Sequence, residues 1–143
     1  MLTLDTAQKI IAAALSEAAA KKLQPLVVAV LDARGALTAL AAQDGVSLRR
    51  ADIAQGKAHA AIALGLGSRS IHKMALERPH FVSAVTHAVG GSLVPVPGGV
   101  LIRDGDGKVI GSVGISGDNS DNDEMAVMAG IAAAGLKGDP GQG

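Results

Sequence analysis

Four histidines are the side chains in this sequence most able to bind a metal or transfer a proton: His59, His72, His80 and His87. None of them forms the HExxH pattern of a zinc protease. His80 and His87 are seven residues apart, which predicts one helix face but a separation of two turns. One or two of the histidines could ligate iron or transfer protons. The alternative for each is an ordinary solvated or core position.

The acidic segment Asp118–Glu124 is a second group of side chains that could do chemistry. A calcium loop counted from Asp118 needs glycine at its sixth position and glutamate at its twelfth. The sequence has Asp123 and Ala129 there. Carboxylates are favoured at the start of a helix, which would account for the segment structurally. The other interpretation is that Asp123 or Glu124 acts as an acid or a base in a pocket.

Lys57 is the third candidate, because it lies on a predicted helix among small residues such as Ala54, Gly56 and Ala60. A lysine on a mostly apolar face either extends its ammonium group to solvent or meets an anionic ligand. The sequence leaves both alternatives open.

Two established motifs are absent. Gly65–Ser70 lacks the third glycine of the dinucleotide fingerprint and follows a predicted helix rather than a strand. The spacing of Gly111, Gly114 and Gly117 does not match that fingerprint either. No serine lies in the Gly-x-Ser-x-Gly context of a hydrolase nucleophile. The motifs therefore do not indicate nucleotide binding or serine hydrolase chemistry.

The elements that must position these residues follow from the apolar periodicity, which predicts the order α-β-β-α-α-β-β-β-α. Their bounds are a helix from Thr3 or Asp5 to Lys22, strands Leu26–Leu31 and Ala36–Ala42, helices Leu48–Leu64 and Pro79–Val89, an edge strand Leu93–Val96, a hairpin Val100–Ile115 and a helix ending near Leu136. Ser68–Glu77 is either a short helix or a loop. Strands joined by hairpins predict an α+β fold, with helices packed on a mostly antiparallel five-stranded sheet. Residues 1–137 form one predicted domain, and the tail 138–143 is predicted to be disordered.

Glycines inside the second strand of the hairpin point to close packing. A glycine weakens a strand unless another backbone or a ligand must come near it. We therefore expect Gly111 and Gly114 to lie where a helix presses on the sheet or where a pocket opens.

The composition limits the partners. Lys plus Arg and Asp plus Glu both number 13, so the net charge is zero, which argues against nucleic acid or an anionic membrane as the main partner. No apolar run is long enough for a membrane span, and the first 20 residues do not resemble a signal peptide, so we expect a cytoplasmic protein. Phe81 is the one aromatic residue. A core of small side chains buries little area, which favours further burial in a homo-oligomer.

Several segments, taken together and in this order, resemble the GlcG/HbpS-like family, which includes a domain at the C-terminus of PduO-type proteins. They are the Pro25–Asp32 strand with its Arg34-Gly35 turn, Asp52–Ala54 followed by Lys57–Ala61, Gly90-Gly91 before Gly98-Gly99, and Val109–Gly117 with Asp121–Glu124 behind it. The resemblance covers about residues 2–136.

This resemblance implies a profilin-like α+β fold, a higher oligomer that is often an octamer, and binding of haem or a related tetrapyrrole. The family's motif positions that carry over are Lys57, Gly98, Gly99, Gly117, Asp121, Asp123 and Glu124. No iron ligand carries over by position.

The first functional hypothesis is a haem-binding protein in which Lys57 pairs with a propionate and His59 or His87 approaches the iron. The alternative is a metal-independent enzyme for a small carboxylated or carbonyl substrate. In that enzyme, Lys57 would hold the anionic end while Asp123 or Glu124 moves protons. A third hypothesis is an assembly partner for a neighbouring enzyme.

Overall fold

The computed structural model describes all 143 residues as five helices and a five-stranded sheet. The helices are α1 (Leu4–Ala20), α2 (Arg50–Leu64), α3 (Ser68–Glu77), α4 (Pro79–Ala88) and α5 (Ser120–Ala133). The strands are β1 (Val27–Asp32), β2 (Leu37–Ala42), β3 (Gly99–Arg103), β4 (Val109–Ser116) and β5 (Lys137–Asp139). The predicted α+β class is confirmed. None of the helices combines the length and the apolar character needed to cross a membrane.

The sheet has the strand order β2-β1-β4-β3-β5, and every neighbouring pair is antiparallel. Alternating residues of β1 face opposite sides, as the pleat requires. Val28 and Val30 join the main core, which α1 and α5 cover. Val27 and Ala29 lie on the other face and pack against Ala54 of α2. The sheet is therefore a middle layer between α2 and the α1–α5 pair.

Gly114 marks the place where α2 presses on the sheet. A Cβ atom at this position would overlap the carbonyl oxygen of Ala54 and would lie 2.8 Å from the amide nitrogen of Ala58. A Cβ at Gly111 would likewise meet the Leu31 carbonyl group on the neighbouring strand. The expectation of a helix against the sheet is thus met at Gly114, whereas at Gly111 the nearest group belongs to the paired strand β1 and not to a helix or a pocket.

The structure differs from the sequence-based prediction at Leu93–Val96, which is not a strand. Pro95 and Pro97 have no amide hydrogen to give to a sheet ladder. The segment instead attaches to α2 through one hydrogen bond, in which the Val94 amide donates to the Gly56 carbonyl oxygen at 3.2 Å. Leu93 is buried against Ala60 and its neighbours. The prediction of an edge strand here was wrong, because the apolar side chains of the segment pack on a helix instead of alternating in a sheet.

Two further segments take a definite structure. Ser68–Glu77, which the sequence left as a helix or a loop, is α3. The fifth strand is β5, which pairs with β3. Its last two residues belong to the tail 138–143, for which we predicted disorder. Asp139 of β5 also accepts a hydrogen bond from Arg103 Nε at 3.0 Å. The Lys-Gly-Asp sequence of β5 has no apolar alternation, so only its pairing partner reveals it as a strand.

We predict that Gly114→Ala destabilises the protein by about 1–3 kcal/mol, because the added methyl group must push α2 away from β4. The matched control is Gly105→Ala in the β3–β4 turn, where a Cβ atom would have no neighbour within 4 Å. Urea unfolding of both variants is the measurement. Equal unfolding free energies for the two variants would contradict the close packing of α2 on β4.

Candidate functional site

Lys57 is buried and does not reach solvent. Its side chain is 2% exposed, and it extends from α2 around the end of β4. The ammonium group donates to the carbonyl oxygen of Ile115 at 2.9 Å and to Asp123 Oδ2 at 3.0 Å. Neither alternative left open by the sequence describes this position, since the anion that meets Lys57 belongs to the protein itself.

Asp123 completes this buried ion pair from the first turns of α5. Its carboxylate is 1% exposed, and the second oxygen, Oδ1, accepts from the amide of Asp118 at 2.9 Å. Asp118 in turn accepts from the amide of Gln24 at 2.8 Å and from the side chain of Asn122 at 2.8 Å. Both oxygens of Asp123 are therefore engaged within the protein.

Burial controls the ionisation of this pair. Removal from water lowers the pKa of the Lys57 ammonium group, and attraction to Asp123 opposes that shift. The same burial raises the pKa of the Asp123 carboxyl group, with attraction to Lys57 opposing it. Asp118 lies in a different environment, since the Gln24 amide and then the Asn122 side chain hold its pKa below the ordinary value.

Glu124 and Asp121 belong to a separate ion cluster centred on Arg69. Arg69 Nε donates to Glu124 Oε1 at 3.0 Å, and Nη2 donates to Glu124 Oε2 at 2.8 Å. Nη2 also contacts Asp121. These hydrogen bonds, those to Glu124 first, raise the pKa of Arg69. Arg69 was not among the residues predicted from the sequence, because it comes from α3, 55 positions before Glu124.

The predicted site glycines provide room for Lys57 and its neighbours. A Cβ at Gly98 would lie 3.0 Å from Lys57 Nζ, and one at Gly99 would overlap the Lys57 carbonyl group. Gly98 also has a φ of +117°, which favours glycine. A Cβ at Gly117 would overlap the carbonyl oxygen of Pro25. The structure thus brings Lys57, Asp123, Gly98 and Gly99 together, and it places them inside the protein.

His59 is the histidine that the structure holds in one orientation. It lies on α2, partly exposed, and its Nδ1 atom is 2.7 Å from the carbonyl oxygen of Ser92. A carbonyl oxygen only accepts hydrogen bonds, so Nδ1 carries the proton and Nε2 of the neutral ring keeps its lone pair. Histidines that bind metals are commonly oriented in this way by a backbone carbonyl group.

The other histidines have no such support. His87 is exposed in the last turn of α4, and no hydrogen bond holds its ring. His72 is partly exposed on α3, and His80 is exposed at the start of α4. No group of three or more histidine, aspartate or glutamate side chains is arranged to hold a metal ion.

A groove of about 270 Å³ lies beside His59, between α2 and residues 91–94. Ile53, Leu93 and Val94 form its apolar wall, Ser92 connects it to His59, and Arg49 lies at its rim. None of these cavities has a histidine among its lining residues, and two larger ones have volumes of about 490 and 530 Å³. The groove differs from the other two because one of its lining residues, Ser92, orients the His59 imidazole, and Asp52 lines it together with Arg49.

The comparison that decides the family covers almost the whole chain. The family model for the haem degrading protein HbpS-like matches residues 2–132. The chain belongs to the HbpS-like family. The resemblance recognised in the sequence is confirmed.

Solved structures of similar fold agree with this membership of the HbpS-like family. The crystal structure of a PduOC:heme complex is 25% identical, with a TM-score of 0.84 and 99% of each chain covered. HbpS of Streptomyces reticuli, solved as a double mutant, is 26% identical, with a TM-score of 0.77 over 92% of this chain and 85% of that one. Protein ORFY of Klebsiella pneumoniae, at 24% identity and a TM-score of 0.83, shares the fold over 94% of this chain and 90% of its own. No curated protein matches this chain.

We predict that Lys57→Met destabilises this HbpS-like protein by about 3–5 kcal/mol, because it leaves the Asp123 carboxylate buried without its partner. The double variant Lys57→Met/Asp123→Asn removes both charges and is expected to recover part of that loss. Urea unfolding at pH 7 measures both. A single variant as stable as the wild type would show that the pair is not a structural contact.

Proposed function

We propose that this protein binds haem and that the groove beside His59 is the binding site. Two comparisons support the ligand: membership of the HbpS-like family and the likeness to the PduOC:heme complex. Bound haem would supply iron, whose reactivity depends on the axial ligand and on the polarity around it. The residues of this chain that would receive the haem lie on α2 and in the segment at Ser92.

The oriented imidazole of His59 is the observation on which this assignment depends. The Ser92 carbonyl oxygen holds Nδ1 at 2.7 Å, so Nε2 is free to ligate iron without a change of tautomer. Imidazole is a common axial ligand of haem iron. We therefore assign His59 as the residue that would bind the haem iron and leave His87, whose ring has no such partner, outside the site.

The walls of the groove fit the rest of a haem molecule. Ile53, Leu93 and Val94 offer apolar contact to a macrocycle. Arg49 at the rim is 79% exposed and has a single partner, Asp52. A guanidinium group can bind a carboxylate through two parallel hydrogen bonds, so Arg49 is a candidate partner for a propionate. At about 270 Å³ the groove is smaller than the sites of about 300–1,000 Å³ that enclose drug-sized ligands, so haem bound there would extend beyond it into solvent.

Lys57 is not part of this proposal, and neither is the enzymatic alternative. Both the ammonium group of Lys57 and the carboxylate of Asp123 are buried and hydrogen-bonded within the protein. Glu124 is held by Arg69. No observation gives these carboxylates access to a small substrate, so we argue for ligand binding alone.

We predict that His59→Ala weakens haem binding at least tenfold and alters the Soret band, because the variant removes the imidazole that would bind the iron. The matched control is His87→Ala, which removes an exposed histidine outside the groove. Haem titration followed by absorbance is the measurement. If His87→Ala loses affinity and His59→Ala does not, the assignment of His59 is wrong. If the wild type itself shows no saturable binding, the proposed function fails.

We further propose that the protein forms a homo-oligomer through the outer face of β2. This strand lies at the edge of the sheet and exposes Leu37 and Leu40, with side chains 52% and 36% exposed. Leu48, in the loop before α2, is 84% exposed. Burial of these side chains against other subunits would remove apolar surface from water.

We therefore predict a species larger than a dimer in light scattering at micromolar concentration. Leu40→Lys should shift it toward smaller species, since the substitution places a charge in the proposed contact. The control is Leu76→Lys on α3, which changes a leucine that is 72% exposed but lies outside the proposed contact. This variant should keep the size of the wild type. A monomeric wild type would contradict the assembly, and dissociation by Leu76→Lys alone would contradict the choice of face.

A further inference from the structure

Arg50 differs from the other arginines of this chain because its charge meets no carboxylate and no aromatic ring. Four arginines pair with carboxylates: Arg34, Arg49, Arg69 and Arg103. Arg78 lies over the ring of Phe81, 4.3 Å from its centroid. Arg50, the first residue of α2, makes one side-chain hydrogen bond, in which Nη1 donates to Ser116 Oγ at 3.2 Å.

The remaining donors of Arg50 have no partner in the protein. A guanidinium group carries five N–H donors in a planar arrangement, and Ser116 accepts from one of them. The side chain is partly buried, whereas an unpaired arginine is ordinarily well exposed. Arg50 therefore holds a positive charge in a partly enclosed position with most of its hydrogen bonds unused.

The partly buried guanidinium group borders a small polar cavity. The cavity has a volume of about 160 Å³ and lies between the start of α2, the loop before it and the segment before α5. Ser47, Gln24 and Gly117 contribute to its walls, together with the apolar side chains of Pro25 and Val46. The volume is below the usual range of about 300–1,000 Å³ for sites that enclose drug-sized ligands, so the cavity suits a much smaller molecule.

We propose that this cavity binds a small carboxylate, held by Arg50 through paired hydrogen bonds and by the hydroxyl group of Ser47, both of which line the cavity. The planar guanidinium group matches the two oxygens of a carboxylate. This site is independent of the haem proposal, because it shares no residue with the groove beside His59.

The surrounding charges favour a single negative charge on the ligand. Lys57 and Asp123 neutralise each other in their ion pair. Burial lowers the pKa of the Lys57 ammonium group, and Arg50 is near enough to repel that group and lower its pKa further. Asp118 directly follows the lining residue Gly117, and its carboxylate would repel a second negative charge on a ligand there. One positive charge on Arg50 thus balances one negative charge, and a phosphate dianion would be less well compensated than a monocarboxylate.

The wild-type test is an NMR titration of the isotope-labelled protein with sodium acetate at constant ionic strength. We expect saturable shifts of the backbone amides of Gly45, Ser47 and Gly117, with sodium chloride giving none and phosphate giving weaker binding. Shifts that do not saturate, or shifts centred elsewhere in the chain, would overturn the proposal. Tighter binding of phosphate than of acetate would overturn the assigned ligand class.

Arg50→Gln is expected to weaken acetate binding about ten- to a hundredfold, as loss of a charge-assisted contact should. The control is Arg78→Gln, which removes the other arginine that lacks a carboxylate partner, and it should bind acetate like the wild type. Equal affinities for Arg50→Gln and the wild type would overturn the proposal. Ser47→Ala, with an expected smaller loss of acetate affinity, tests the second proposed contact if Arg50→Gln proves unstable in thermal unfolding.

Discussion

The buried ion pair between Lys57 and Asp123 is the interaction on which the arrangement of the helices depends. Lys57 comes from α2 on one face of the sheet, and Asp123 comes from α5 on the other. Burying two charges costs several kcal/mol per ion, so such a pair persists only when further hydrogen bonds satisfy its atoms. The Ile115 carbonyl oxygen and the Asp118 amide supply them. No buried side-chain polar atom in this structure lacks a partner.

This pair also fixes the position of α2, and therefore the position of the other side chains on that helix, including His59. Gly98, Gly99 and Gly114 have no side chains that would keep α2 from the sheet. Held in this way, the helix directs Lys57 inward and places His59 toward the segment at Ser92. Lys57 and Asp123, which the sequence offered as candidate site residues, therefore form a buried contact that joins α2 to α5. The groups that remain available to ligands are on the outer side of α2.

Local patterns in the sequence predicted most of the fold. Apolar periodicity located α1, β1 and α2 within a few residues of their bounds. Gly114 of β4 lies against a helix, which is one of the two alternatives that the sequence left open. The errors arose where tertiary contacts override local pattern. Leu93–Val96 is apolar because it packs on α2, and β5 forms because β3 offers an unpaired edge.

The candidate site was harder to predict, because its contacts join residues far apart in the chain. Asp123 lies 66 positions after Lys57, and no spacing rule connects them. Arg69 was missed for the same reason. We predicted His59 as a possible iron ligand because it is a histidine and lies in Lys57–Ala61, a segment that resembles the family. The hydrogen bond to Ser92 that separates it from His87 depends on a loop conformation that the sequence does not reveal.

The most direct test of haem binding at His59 is a crystal structure of the protein grown with haem. We expect iron bonded to His59 Nε2, the Nδ1 contact to the Ser92 carbonyl oxygen retained, and the Lys57–Asp123 pair unchanged. Haem bound at another surface with His59 free, or bound by displacing the Lys57–Asp123 pair, would contradict the assignment.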